Sequence, residues 1–159
     1  MRLTRYTDYS MRVLLYLGAR PGRVCTIPEM AKAYGISQNH LMKVVHQLGK
    51  AGTVTGVRGR NGGVRLARSA DAINVGAVIR HSETPLCGDA LKLLDCPTCP
   101  IAPACGLTGV IDEALAAFFA VLERYTLADL LDRRADALLD IFAMNTAQAG
   151  RSAAPAAFQ

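Results

Sequence analysis

The sequence predicts a mainly α-helical fold: a helix-turn-helix, a small β-hairpin behind it, and a long helix toward the C-terminus. Three observations carry this reading. Two short amphipathic segments flank Gly35, the pattern of two helices joined by a tight turn. Directly behind them, two β-like runs bracket Arg58-Gly59-Arg60-Asn61-Gly62-Gly63, and Asn-Gly is a strong hairpin signal. From Leu107 to Arg124 apolar residues recur at helical spacing on a wide stripe.

Taken in order, Tyr6, Tyr9, Val13, Tyr16 and Leu17 define a first helix over Thr4–Ala19, ended by Pro21-Gly22. Thr26-Ile27-Pro28-Glu29 has the form of a capping box with proline in the first turn, so a second helix runs to about Tyr34. Gly35-Ile36 makes the turn. Ser37 is placed to cap a third helix, Gln38–Ala51, with Leu41, Val44, Val45 and Leu48 on its apolar face. The β-like runs are Thr53–Val57 and Val64–Leu66, and a hairpin in this place is a wing. Asn74 can cap a fourth helix, Val75–Arg80. The long helix shows Leu107, Val110, Ile111, Leu115, Phe118, Phe119 and Leu122 on one stripe. Thr126, with Asp129 three residues on, caps a last helix to about Met144. The Ala-, Gly- and Ser-rich tail from Asn145 is expected to be disordered. The expected organisation is therefore a winged helix-turn-helix region at 1–70, a cysteine loop and further helices at 71–145, and a disordered tail at 146–159.

With 159 residues, 51% of them hydrophobic, the chain can bury one core. No apolar run approaches a membrane span, and no signal peptide is visible, so a cytoplasmic protein is expected. The formal charge of +5 conceals an asymmetry. Residues 1–70 hold twelve Lys or Arg against Asp8 and Glu29, about +10. Residues 71–159 hold six basic residues against eleven acids, about −5. A strongly basic half points to nucleic acid, and an acidic half to protein contacts.

The third helix starts Ser37-Gln38-Asn39-His40, with Lys43 one turn later. In a helix-turn-helix these residues enter the major groove of double-stranded DNA. Gln and Asn can pair bidentately with adenine, and Ser or His can reach base edges or phosphates. Arg58, Arg60 and Asn61 at the wing tip suit a neighbouring minor groove or the phosphates. His40 and His46 lie six apart on a helix, do not share a face, and are not a metal pair.

The second constellation is Cys96-Pro-Thr-Cys99-Pro-Ile-Ala-Pro-Ala-Cys105-Gly, with Cys87 nine residues upstream. Pro97, Pro100 and Pro103 stiffen the segment. Cys105 falls at the mouth of the long helix, where the dipole favours a thiolate or an anionic cluster. Spacing leaves three chemistries open. An iron–sulfur cluster tolerates three close cysteines and one remote ligand. Zinc would want a second close pair. Two of the thiols could instead form a disulfide switch. A thiol oxidoreductase built on Cys96 and Cys99 would need a βαβ unit, and none is visible. Cys25, alone in a basic polar segment, reads as a bystander.

With both features present, the chain resembles the Rrf-type winged-helix regulators from Met1 to about Arg134. The resemblance is carried by Met1–Ser10, Gly35–Val45, Val57–Gly63, Cys99-Pro-Ile-Ala-Pro-Ala-Cys105-Gly-Leu107 and Tyr125–Leu130. It is strongest to the nitric-oxide-sensing branch. That resemblance implies a repressor that is a homodimer on a palindromic operator, paired through the long helix as a dimerisation helix. It also implies a 4Fe–4S or 2Fe–2S cluster on the cysteines, the 4Fe–4S form being favoured. Cys99 and Cys105 match two ligand positions. The first ligand is either Cys96 or Cys87, with Cys96 favoured because a Cys-x2-Cys pair suits a cubane cluster. Asp8 matches an oxygen ligand given by the partner subunit. The residues alone would make it a solvated charge answering Arg5 and Arg12. Thr108 stands where the branch regulating cluster biogenesis has histidine, which favours the oxygen-ligated branch. Loss of the cluster to nitric oxide would then shift the reading heads and lower operator affinity.

Overall fold

The computed structural model describes residues 2–60, 62–87 and 98–152. Cys96 and Asn61 lie outside them, and Cys87 is described only as the last backbone position of a helix. Seven α-helices and one hairpin are seen among the described residues: α1 Arg5–Gly18, α2 Ile27–Tyr34, α3 Gln38–Lys50, β1 Val54–Val57, β2 Gly63–Leu66, α4 Val75–Cys87, α5 Leu107–Leu122, α6 Leu127–Leu131 and α7 Ala135–Ser152. Short 3-10 turns cover Ala70–Ala72 and Ala102–Ala104. The fold is mainly α, a winged helix-turn-helix with a small antiparallel wing.

Local chemistry accounts for the first half. The Thr4 hydroxyl accepts from the Thr7 N–H and starts α1. The Thr26 hydroxyl accepts from the Glu29 N–H at 3.3 Å, and Pro28 sits in the first turn of α2. Gly35 ends α2 with φ 63°, a left-handed cap that glycine adopts without strain. Ser37 occupies the N-cap position of α3 but its side chain makes no capping bond, contrary to the expectation. The strands pair Val54 with Leu66 and Val57 with Gly63. The connection is thus the five residues 58–62, not a two-residue Asn-Gly turn. Gly59 takes φ 115°, and its carbonyl accepts from the Gly62 N–H at 2.9 Å.

One core holds α1, α2, α3 and the wing together. Val13, Leu14, Leu17, Met30, Leu41, Leu48 and Val54 are buried in it, and so are Leu127, Leu131 and Phe142 from the C-terminal helices. The Phe142 ring lies 4.9 Å from that of Tyr16 and 5.1 Å from that of Tyr34, with the Arg20 guanidinium 5.0 Å from its centroid. Asn145 Nδ2 donates to the Ala33 carbonyl at the end of α2. A smaller cluster of Val75, Ile79, Leu115 and Phe119 joins α4 to α5.

Three helix boundaries differ from expectation. The fourth helix does not stop at Arg80 but runs to Cys87. The continuation is held from outside: Glu83, 5% exposed, packs on the start of α1. Its Oε1 accepts from the Thr4 N–H at 2.9 Å, the Thr4 hydroxyl at 3.1 Å and the Thr7 hydroxyl. The last helix is two. The Thr126–Asp129 capping box starts α6 as expected, but Arg133 adopts φ 53° and α7 sets off in a new direction. Helix α7 is then continuous to Ser152, past Asn145, where order was expected to end.

Candidate nucleic-acid interface and cysteine loop

The candidate reading face comes from α3 and the wing. Leu41, Val44 and Leu48 are buried, which turns Ser37, Gln38, Asn39, His40 and Lys43 outward, and all five are exposed. Met42, 49% exposed beside them, was missed by motif reading. Its signal was that it falls off the buried row, and an apolar group there suits a thymine methyl. Arg58 and Arg60 are exposed on the wing connection.

Backbone contacts fix the wing to the core. The Cys25 N–H donates to the Val64 carbonyl at 2.8 Å, and the Val64 N–H returns to Cys25 at 2.7 Å. A side chain at Gly63 would place its Cβ 2.5 Å from the Cys25 carbonyl oxygen, so only glycine permits this approach. Cys25 is therefore a core residue at the anchor of the wing. Burial, and then Glu29, push its thiol up to about 11.

The cysteine loop is a chain of tight turns. The Ala102 N–H donates to the Cys99 carbonyl at 3.1 Å, Ala104 to Ile101 at 3.0 Å and Cys105 to Ala102 at 3.3 Å. Cys99 and Cys105 are half-buried, and both thiols are free. Gly106 is the N-cap of α5, and no side chain caps that helix. Cys105 is thus at the mouth of α5 as expected, next to a helix end that favours negative charge. Thiols in a stiff, half-open loop at such an end are the soft, ionisable donors an iron–sulfur cluster takes. Cys99 and Cys105 stand at the two ends of this run of turns, and the Cys96 and Cys87 side chains lie outside the described residues.

Among the described residues no three His, Cys, Asp or Glu side chains group to hold a metal ion, and Asp8 is engaged by its own helix. Its carboxylate is 48% exposed and takes a two-point pair from Arg12, at 2.9 Å and 3.0 Å. Glu83 was missed altogether, because a glutamate in a polar run gives no sign that it is buried.

Winged helix, basic reading face and wing together define a DNA-binding transcriptional regulator rather than an enzyme. The chain belongs to the Rrf2 family, whose model, described as an iron-dependent transcriptional regulator, matches residues 3–133. It is 49% identical over 141 residues to the HTH-type transcriptional regulator NsrR of Bacillus subtilis, covering 86% of this chain and 94% of that protein. It is 47% identical over 137 residues to NsrR of Halalkalibacterium halodurans, covering 82% and 90%. Among solved structures it resembles T. potens IscR, with TM-score 0.66 at 25% identity over 86% of this chain and 90% of that one. It also resembles CymR, the global cysteine regulator of B. subtilis, with TM-score 0.64 at 25% identity over 84% and 98%. No helix among the described residues is long and apolar enough to cross a membrane.

Proposed function

We propose that this regulator is a homodimeric repressor that senses nitric oxide through an iron–sulfur cluster and so controls its affinity for a palindromic operator. The observation that carries the reading is the build of α5. At its mouth stand Cys105 and, across the proline turns, Cys99. Along its length Leu107, Val110, Ala114, Ala117 and Val121 are all exposed. Their spacing of three, four, three and four is an apolar seam for a second copy of the same helix. The thiols therefore stand at one end of the helix whose exposed face makes the dimer contact.

Cys99 and Cys105 hold the cluster with Cys96, or with Cys87 in its place, and Asp8 of the partner subunit gives an oxygen ligand. The cluster's contribution when bound is iron that reacts with nitric oxide, in the 4Fe–4S form by preference. The chain's own groups do the rest. The proline turns hold the thiols at the α5 mouth. Asp8, when it leaves the partner, returns to the Arg12 pair seen here. Because α1 packs on α3, movement at Asp8 moves the reading face. Ser37, Gln38, Asn39, His40 and Lys43 read the major groove, and Arg58, Arg60 and Asn61 contact the backbone or minor groove. Residues 1–70 act as the reading head and 71–145 as the sensing and pairing region, in the cytoplasm.

The test is anaerobic purification with an absorbance spectrum, followed by duplex binding before and after nitric oxide. A broad visible band that collapses together with operator affinity is expected, and Cys99→Ala or Cys105→Ala should give a folded, colourless dimer. Bound zinc would make the loop structural. Metal-free protein whose DNA binding tracks thiol oxidation would make it a redox switch. Stoichiometric cluster in either variant would remove that residue from the ligand set.

A further inference from the structure

Between the start of α1 and the first turns of α3 lies a cleft of about 230 Å³, lined by Arg5, Tyr6, Tyr9, His40, Lys43 and Val44. Its walls are partly fixed: the Tyr9 and His40 rings stand 6.1 Å apart, and Val44 is in the core. Its rim carries two cations and no carboxylate. The ion pairs among the described residues use Arg12, Arg23, Arg80 and Arg133, so Arg5 and Lys43 are left outside them. The nearest acid on α1, Asp8, is occupied by Arg12. An uncompensated guanidinium and ammonium converging on a recess, with phenol and imidazole donors in its wall, form an anion seat. The recess also adjoins the exposed residues that face the major groove, where the closest anion is a backbone phosphate.

We propose that this cleft seats one phosphate of the DNA backbone in each half-site, making α1 a DNA-contacting element beside α3 and the wing. The inference rests on the DNA-binding reading above and deepens it. The guanidinium fork of Arg5 grips the phosphate oxygens, Lys43 adds a point charge from the opposite wall, and Tyr9 donates from its hydroxyl. Tyr9 directly follows Asp8 in α1. A shift of α1 that releases Asp8 therefore displaces the phosphate seat in the same motion.

The experiment compares wild type, Arg5→Gln and Tyr9→Phe as full-length, cluster-loaded dimers. The probes are a duplex selected by wild type from random sequence and a scrambled duplex of equal length, each titrated from about 50 to about 200 mM salt. Arg5→Gln should weaken both duplexes by the same factor and reduce the log–log salt slope by about one per protomer. A neutral methylphosphonate scanned along the selected duplex should find a position in each half-site that costs wild type several-fold and costs Arg5→Gln nothing further. Circular dichroism matched to wild type shows that the variants are folded. An unchanged salt slope, a loss confined to the selected sequence, or a methylphosphonate penalty that survives in full in Arg5→Gln would overturn the phosphate seat and leave the regulator reading standing. Wild type with no affinity for either duplex would overturn both.

Discussion

Replacing Glu83 by alanine should destabilise the protein by about 3–4 kcal/mol, a cost set by three hydrogen bonds to a buried carboxylate. Glu83 is 5% exposed, and the Thr7 left behind is 1% exposed. Hydrogen bonds to a charged group are worth about 1.5–3 kcal/mol each, which would sum to roughly 4–9. Two features reduce that sum. Thr4 is only part-buried and regains water, and bonds converging on one oxygen are not additive. The carboxylate also faces the positive end of α1, a term of about 0.3–1 kcal/mol already contained in the same contacts. Glu83→Gln keeps an acceptor of the same shape and should cost about 1–2 kcal/mol. Urea denaturation at one fixed protein concentration measures both variants and keeps any self-association equal between them. Amide exchange at the Thr4 and Thr7 N–H groups reports whether α1 frays. A Glu83→Ala protein within about 0.5 kcal/mol of wild type, with those amides equally protected, would show that the pairing carries no weight.

Two further outcomes follow from close packing and burial. Gly76→Ala places a Cβ 2.5 Å from Glu123 Cγ and 2.8 Å from its backbone nitrogen, where α4 meets the end of α5. It should cost about 1–3 kcal/mol by thermal unfolding, and a neutral result would mean that the two helices slide apart freely. Cys25 has its thiol raised to about 11 from an ordinary 9.0, so the folded state favours the protonated form. Its contribution is complete below pH 9 and is lost as pH rises toward about 11, roughly 2–3 kcal/mol in all. Cys25→Ala should flatten that part of the stability–pH curve.

The reading head was legible because its signals are local. Thr26 and Glu29 announce α2, Gly35 its end, and Leu41, Val44 and Leu48 the buried side of α3. The α4 boundary was not legible, since the run His81–Thr84 is polar, Pro85 follows it, and the contacts that extend the helix come from Thr4 and Thr7, far away in sequence. The break after α6 has no glycine or proline to mark it. Arg133 takes the left-handed conformation, which allows Phe142 to reach the pocket between Tyr16 and Tyr34. The apolar stripe of α5 was read as one surface. In the structure Leu115 and Phe119 turn inward while Leu107, Val110 and Val121 stay exposed, a division that needs the position of α4. The place of Cys105 just before α5 was legible from the prolines ahead of it and the apolar run behind it. Arg5 and Tyr9 were not, because a recess between two helices has no sequence signature.

The seat of Phe142 has a consequence for biosynthesis. The ring that completes the packing behind Tyr16 and Tyr34, and the Asn145 amide that satisfies the Ala33 carbonyl, belong to α7, which is synthesised after the other described helices. A nascent chain therefore emerges with its helix-turn-helix made but the aromatic back of α2 bare to water. The head gains its full rigidity only after the cysteine segment and α5 have also left the ribosome. Order of synthesis thus sets order of competence: a half-made chain carries an unfinished DNA reader, and the finished reader always comes with its cysteine segment and α5.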